Sequence, residues 1–193
     1  MELQRGVCGD LAPATYLTDA VRNASVDIHA QSLVEAARRH GVTVVHCTFS
    51  ILPDGEGARL DLPVMAAAAN HPTLLRTGDP STELLDGLGP APDDIVSERH
   101  HGLTPFTGTL LAETLQERRI TTVVACGVSL NIGIPGLVFE AVGEGFDVTV
   151  ATDAVVGVPT SFGDEVLRNS LAYVATLATT ADIIAGWHKP HTA

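Results

Sequence analysis

The sequence predicts an α/β fold, a three-layer α/β/α sandwich around a mostly parallel, doubly wound sheet. The main observation is a strand–loop–helix–strand unit between residues 121 and 153. Residues 121–126 and 146–151 are short apolar runs rich in β-branched side chains, which are typical of buried strands. A helical pattern that ends at Gly145 lies between them. Such a unit forms parallel strands, and ligands bind beyond the carboxyl ends of such strands.

The same alternation of strand and helix patterns extends over the rest of the chain. Before the central unit we predict a helix at 19–40, a strand at 42–49, a short helix within 50–70, another that begins at Pro80, a short strand at 94–97 and a helix at 107–119. After it we predict a helix from Ser161 to about Leu177 and a final helix at 180–187.

Length and composition restrict the class of protein. A chain of 193 residues is enough for one domain, and we expect a single domain over residues 1–193. The formal net charge of −12 argues against nucleic acid or an anionic membrane surface as a partner. No apolar run approaches the roughly 20 residues of a membrane span. Three cysteines without paired spacing fit a reducing compartment, so we expect a cytoplasmic protein.

Two segments of the chain resemble a known family. Residues 127–134, with the sequence GVSLNIGI, and the helix after them are similar to the signature of the isochorismatase-like cysteine hydrolases. This family includes nicotinamidases and other small-amide hydrolases. The block 105–109, Pro-Phe-Thr-Gly-Thr, is similar to the family segment that leads into the next helix. The resemblance covers nearly the whole chain and implies the isochorismatase-like fold.

The resemblance implies three catalytic positions, and all three differ here. In the family a cysteine thiolate attacks a carbonyl, an aspartate takes the thiol proton and a lysine supports the charge, while backbone N–H groups hold the oxyanion. The acid position corresponds to Glu2, the lysine position falls by counting on His100, and the cysteine position is Gly133. Because glycine cannot be a nucleophile, the protein is a candidate pseudoenzyme with a degenerate triad.

The cluster Arg99-His100-His101 allows three interpretations. It replaces the lysine and binds an anionic or carbonyl ligand through charge-assisted hydrogen bonds. Alternatively it is a subunit contact, or its histidines satisfy local carbonyl groups. We count Arg99 and His101 among the candidate ligand-binding residues.

Three further candidates for ligand contact lie in the two family-like segments. They are Phe106 in the Pro-Phe-Thr-Gly-Thr block, and Ser129 and Asn131 in the turn before the helix. Ser129 and Asn131 are also expected to fix this turn through side-chain hydrogen bonds. The resemblance implies a cis peptide bond between Val128 and Ser129.

Other nucleophiles and metal ligands are disfavoured. Cys126 closes a buried strand and Cys8 lies in the first loop, whereas a reactive thiol needs an exposed, electropositive setting. Nicotinamidase-like members carry an Asp-x-His and a second histidine for metal. This chain has Asp-Gly-Glu at 54–56 and an isolated His71. We therefore expect no metal site and no cofactor.

The chain begins abruptly relative to the family. Residues 1–7 resemble the end of the family's first strand, but the apolar body of that strand is absent. We therefore expect an upstream start or a strand supplied in another way, since unpaired backbone groups in neighbouring strands cost about 1–3 kcal/mol each. The alternative interpretation of Glu2 is a flexible, solvated terminal residue.

Two functions from different classes fit these residues. The first is a binding or regulatory protein for a small carbonyl or carboxylate metabolite, without thiol catalysis. The second is a hydrolase of a small amide, ester or vinyl ether in which Glu2 activates water, because general base catalysis alone contributes roughly 10²–10⁴-fold. In either case the resemblance implies a homo-oligomer.

Overall fold

The protein is an α/β structure. A computed structural model describes residues 1–13 and 15–188, and this part of the chain contains eight α-helices and five β-strands. In chain order they are α1 (Arg5–Cys8), α2 (Thr15–Asn23), α3 (Val26–Arg39), β1 (Val45–Phe49), α4 (Ala66–Ala69), β2 (Ile95–Arg99), α5 (Leu111–Glu117), β3 (Thr122–Val128), α6 (Gly133–Gly143), β4 (Asp147–Val156), α7 (Thr160–Asn169), β5 (Thr176–Ala178) and α8 (Thr180–Trp187). None of the described helices is long and apolar enough to cross a membrane.

The strands form two parallel groups. β1 pairs with β2, and β4 lies between β3 and β5. Helices α3 and α8 pack on one face of β4, and α6 packs on the other face of β3 and β4. This arrangement confirms the predicted three-layer α/β class with parallel strands.

Alternation along β4 builds both layers of the core. Val148 and Val150 are buried with the apolar side of α6, whereas Ala151 is buried with Leu33 of α3 and Ile183 of α8. Successive side chains of a strand point to opposite faces, so a continuous apolar strand such as β4 serves both helical layers.

The first two residues connect the two groups of strands. The Met1 amino group donates to the carbonyl of Cys126 at 2.9 Å, and the Val128 N–H donates to the Met1 carbonyl at 3.0 Å. On the other side, the Glu2 N–H donates to the carbonyl of Cys47 in β1 at 2.9 Å. Glu2 has a φ of +49°, so the segment is not a regular strand. Glu2 is nevertheless held between β1 and β3 rather than solvated.

Gly127 allows the first residue to lie this close to β3. Its φ is +110°, and a Cβ at this position would lie 2.1 Å from the Met1 carbonyl oxygen. Only glycine adopts that backbone conformation without steric cost and leaves room for the neighbouring carbonyl.

Gln4 fixes the next turn of the chain. It is fully buried, and its Nε2 donates to the carbonyls of Phe49 at 2.9 Å and Thr82 at 2.8 Å. Its Oε1 accepts the Phe49 N–H at 2.8 Å. The two N–H groups and the oxygen of the side-chain amide are therefore all paired with backbone. These bonds satisfy the backbone N–H and carbonyl of Phe49 at the end of β1.

The prediction of a helix from Ser161 to about Leu177 is wrong in its second half. Helix α7 ends at Asn169, and residues 176–178 form β5 instead. β5 pairs in parallel with 149–151 of β4, so three residues that fit a helical period lie in the sheet. Pairing with an apolar central strand overrides the local pattern.

Two other predicted helices have different limits. The predicted helix at 19–40 is two helices, because Ser25 has a φ of +53° between α2 and α3. The predicted helix at 107–119 begins only at Leu111, since residues 100–110 form an irregular loop.

We predict that Gln4→Ala lowers the free energy of unfolding by about 2–4 kcal/mol, because buried backbone groups lose their partners at about 1–3 kcal/mol each. Urea denaturation measures the change. Gln116→Ala is the matched control, since Gln116 is exposed on α5 and should change stability by less than about 0.5 kcal/mol. Equal effects of the two substitutions would contradict this role of Gln4.

Candidate functional site

A cavity of about 190 Å³ lies at the carboxyl ends of β1, β2 and β3. The last residues of these strands, Phe49, Arg99 and Val128, contribute to its wall. Much of the remaining lining is apolar and comes from the segments before and after the strands, including Val7, Leu17, Met65, Leu74, Leu75 and Leu103. This is the edge of a parallel sheet at which α/β proteins bind ligands.

An ion pair between Glu2 and Arg99 forms the polar side of the cavity. Arg99 is only 3% exposed, and its Nη2 donates to Oε1 of Glu2. Its Nη1 donates to the carbonyl of Thr48 at 3.3 Å, and its guanidinium carbon lies 5.3 Å from the centre of the Phe49 ring. The Nε of Arg99 is buried and has no acceptor among the described residues.

Gly133 begins α6 directly beside this ion pair. A Cβ at Gly133 would lie 3.4 Å from Oε2 of Glu2. The ion pair with Arg99 uses the other carboxylate oxygen, Oε1. The same Cβ would lie 2.9 Å from the carbonyl oxygen of Val128, which is closer than side chains tolerate. The backbone is thus adapted to glycine at this position.

One N–H group at the start of α6 lies beside the cavity without a partner among the described residues. The N–H groups of Ile132 and Ile134 both donate to the Ser129 carbonyl, at 3.2 and 3.0 Å. The Gly133 N–H has no acceptor among the described residues. The first N–H groups of a helix lack partners within it, and the helix dipole makes this end attractive to oxygen atoms with negative charge.

The turn between β3 and α6 has the expected special geometry. The peptide bond between Val128 and Ser129 is cis. Ser129 lines the cavity. Asn131 instead turns away, since its Oδ1 accepts the Val158 N–H at 2.8 Å and its Nδ2 donates to the Val158 carbonyl at 2.7 Å. Asn131 therefore fixes the turn through side-chain hydrogen bonds, which is the second of the two roles predicted for it.

The structure places Arg99, and not His100, next to Glu2. His100 Nδ1 lies 3.1 Å from Oγ and 3.2 Å from the carbonyl oxygen of Ser50. His101 Nε2 lies 3.2 Å from the carbonyl oxygen of Gly108. Neither histidine lines the cavity. Successive residues at the end of a strand point to opposite sides, so an error of one residue in counting exchanges the two candidates.

Phe106 also lies away from the cavity. It is 5% exposed, belongs to the main core and has its ring centroid 6.0 Å from that of Phe146. It packs inside the core in one cluster with Leu111 of α5 and Val148 of β4.

Sequence reasoning missed Glu140. This α6 carboxylate accepts hydrogen bonds from Thr104 Oγ1 at 2.8 Å, from the Phe106 N–H at 3.0 Å and from Thr107 at 3.2 Å. These bonds hold the loop that carries Leu103, a residue of the cavity wall. The only local signal in the sequence for this role is the pair of threonines, Thr104 and Thr107, on either side of Pro-Phe, because their donor groups need a hydrogen-bond acceptor.

None of the three cysteines lines the cavity. Burial raises the pKa of the Cys8 thiol to about 12, and its Sγ lies 3.8 Å from the carbonyl oxygens of Glu2 and Gln4. Burial also raises the pKa of the Cys47 thiol. Cys126 is half-buried among side chains on the α3 side of the sheet. Within residues 1–13 and 15–188, no three His, Cys, Asp or Glu side chains converge to hold a metal ion.

These features define a three-layer α/β protein with a cavity at the carboxyl edge of its sheet. The model of the isochorismatase domain family matches residues 1–182. The chain therefore belongs to the isochorismatase family, and it has the hydrolase fold of that family.

Three proteins illustrate the relationship. An uncharacterized isochorismatase family protein of Bacillus subtilis (strain 168), YwoC, is 28% identical over 148 residues, which are 76% of this chain and 72% of the relative. The structure of an isochorismatase family protein from Burkholderia thailandensis is 27% identical, with a TM-score of 0.78 over 97% of this chain and 93% of that one. N-carbamoylsarcosine amidase from Thermoplasma acidophilum is 25% identical, with a TM-score of 0.69 over 93% and 92%.

We predict that Gly133→Ala destabilises the protein by about 1–3 kcal/mol, because its Cβ overpacks against the Val128 carbonyl. Gly133→Cys introduces the same Cβ and bears the same cost. Gly143→Ala at the other end of α6 is the control, since a Cβ there meets nothing within 4 Å. We expect this control to be neutral or up to about 1 kcal/mol more stable. Chemical denaturation compares the variants, and a Gly133→Ala protein as stable as the control contradicts the packing described.

We predict that iodoacetamide at neutral pH leaves Cys8 and Cys47 unmodified in the folded protein, because the thiolate is the reactive form and burial raises both pKa values. Peptide mapping by mass spectrometry measures the modification of each cysteine. The same reagent applied to protein unfolded in guanidinium is the control and should label all three cysteines. Rapid labelling of Cys8 in the folded state would show that a nucleophilic thiol is present after all.

Proposed function

We propose that this protein binds a small metabolite through a carbonyl or carboxylate group in the cavity beside Gly133, and that it does so without thiol catalysis. One observation carries the proposal. At the position of the family's nucleophile, Gly133 has no side chain, and its backbone N–H has no acceptor among the described residues. A Cβ placed at Gly133 would lie 3.4 Å from Oε2 of Glu2. A nucleophile is missing there, whereas a hydrogen-bond donor for a ligand oxygen is present.

The chemistry of the cavity supports recognition of a carbonyl oxygen. The Gly133 N–H lies at the positive end of α6 and has no competing acceptor in the described part of the chain. Oε2 of Glu2 is positioned to accept an N–H or O–H group of the same ligand. The name of the Thermoplasma relative, an amidase acting on N-carbamoylsarcosine, is consistent with carbonyl recognition on this fold.

The positions of the cysteines support the proposed absence of thiol catalysis. Cys8 and Cys47 are buried with raised pKa values, and Cys126 faces another part of the molecule. With no thiol in the cavity, Glu2 has no thiol proton to accept. Its interaction with Arg99 instead supports a binding role for the polar side of the cavity.

We also propose that the protein acts in the cytoplasm as a homo-oligomer, with neither nucleic acid nor membrane among its partners. Three free cysteines fit a reducing compartment. Phe139 and Val142 of α6 are 51% and 38% exposed, and such apolar side chains on one helix favour burial against another subunit. The net charge of −12 opposes binding to anionic polymers.

A metabolite extract of the source organism tests the proposed function. The extract is incubated with the wild type and with Glu2→Gln, and small molecules are followed by untargeted mass spectrometry. We expect one metabolite to be retained by both proteins and consumed by neither. Glu144→Gln is the control, since Glu144 is an exposed residue at the far end of α6 and its change alters net charge equally.

Two results would overturn this proposal. A metabolite that is consumed by the wild type and by Glu144→Gln, but not by Glu2→Gln, would establish the hydrolase in which Glu2 activates water. A protein that neither retains nor consumes any metabolite would not be a small-molecule binder at this cavity.

A further inference from the structure

We infer that His40 and His188 together form a binding site for a divalent transition-metal ion, with a preference for Cu²⁺. The inference goes beyond the proposed function, because the site lies away from the cavity. It is unlike the Asp-x-His metal site whose absence the sequence predicts, since two histidines hold the ion and water fills its remaining positions. The distance between the two rings, the charges around them and the packing of the two helices support it.

The two histidines follow directly after two neighbouring helices, α3 and α8. The His40 N–H donates to the Ala36 carbonyl at 3.0 Å, and the His188 N–H donates to the Gly186 carbonyl, so the backbone of both residues is fixed by its helix. Because α3 leads into β1, its end lies at the amino-terminal edge of the sheet. The cavity lies at the opposite, carboxyl edge.

The imidazole rings of these residues are close enough to share one ion. The ring centroids of His40 and His188 are 4.4 Å apart, and the ring planes are 89° apart. An ion bound about 2.0–2.1 Å from one nitrogen of each ring, with about 90° between the two bonds, places the centroids about 4.5 Å apart. A right angle is typical of square-planar Cu²⁺, which also binds imidazole more tightly than Ni²⁺ or Zn²⁺ does. Both side chains are exposed, so water has access to the remaining positions of the ion.

The charges around the two rings favour a cation. The carboxyl-terminal ends of α3 and α8 meet here, and the helix dipole makes such ends attractive to positive charge. Arg38 and Arg39 precede His40, but Arg38 is paired with Asp94 at 2.5 Å and Arg39 with Glu35 at 3.7 Å. Each positive charge is therefore balanced by an acid, and the net charge of −12 adds to the attraction for a cation.

Packing fixes the distance between the two helix ends. Leu33 of α3 and Ile183 of α8 are buried in one cluster, and Trp187 packs against it. The Asp153 carboxylate accepts hydrogen bonds from the N–H and Oγ1 of Thr180, at 2.8 and 2.7 Å, which hold the start of α8 to β4. Because both helices are held in this way, an ion that bridges their ends orders little more than two side chains.

Fluorescence of Trp187 reports binding at this site. It is the only tryptophan of the chain, and its ring centroid lies 6.5 Å from that of His40, so a paramagnetic ion bound there should quench it. Protein without an affinity tag is titrated with Cu²⁺ at neutral pH in a buffer that does not bind metal. We expect saturable quenching with one ion per chain and full recovery when EDTA is added. Fluorescence that Cu²⁺ leaves unchanged would overturn the inference.

The variants His40→Ala and His188→Ala each remove one of the two ligands. We expect each substitution to weaken Cu²⁺ binding at least about tenfold, and both variants should fold because the side chains are exposed. His101→Ala is the control, since His101 follows the carboxyl end of β2 at the opposite edge of the sheet, and it should keep the wild-type affinity. Wild-type affinity in either His40→Ala or His188→Ala would show that the two histidines do not act together and would overturn the site.

Electron paramagnetic resonance of the Cu²⁺ complex gives a readout that does not depend on tryptophan. We expect nitrogen couplings from two imidazole rings in the wild type and from one ring in each alanine variant. Because the ion binds where the folded chain brings α3 and α8 together, Cu²⁺ should also raise the Tm of the wild type more than that of either variant. A spectrum without imidazole nitrogen, or one identical in the wild type and both variants, would place the ion elsewhere and overturn the inference.

Discussion

The ion pair between Glu2 and Arg99 is the interaction on which both the sheet and the cavity depend. Glu2 lies between β1 and β3 through backbone hydrogen bonds of the first residues, and Arg99 ends β2. Their contact therefore joins the two groups of strands at the carboxyl edge of the sheet. Burying a guanidinium is costly unless its charge is paired. The Glu2 carboxylate, the Thr48 carbonyl and the Phe49 ring offset that cost.

Three polar side chains that do not line the cavity hold segments that contribute to its wall. Gln4 pairs with the end of β1, Asn131 holds the turn before α6 to Val158, and Glu140 holds the loop that carries Leu103. Gly133, the position at which the family resemblance places a nucleophile, lines this cavity. We propose that this site binds its ligand without a nucleophile at this position.

The sequence predicts the fold well where the signal is local. Runs of β-branched residues identify β1, β3 and β4, and the glycine after α6 identifies the end of that helix. The turn before Gly133 identifies the edge of the sheet at which the cavity lies. Long-range effects account for the rest. β5 has only three residues and is specified by pairing with β4, and the donors that bind Glu140 lie 33 to 36 residues before it. At the end of β2, counting from the family pattern is uncertain by one residue, which is the difference between His100 and Arg99. This difference matters because successive side chains of a strand point in opposite directions.

A double-mutant cycle tests the central claim most directly. Glu2→Gln, Arg99→Met and the double variant are compared with the wild type by chemical denaturation. If the ion pair joins the strand groups as described, the two substitutions are non-additive, with a coupling energy of about 1–3 kcal/mol, as for residues in direct contact. Additivity within about 0.3–0.5 kcal/mol, the behaviour of independent sites, would contradict the account.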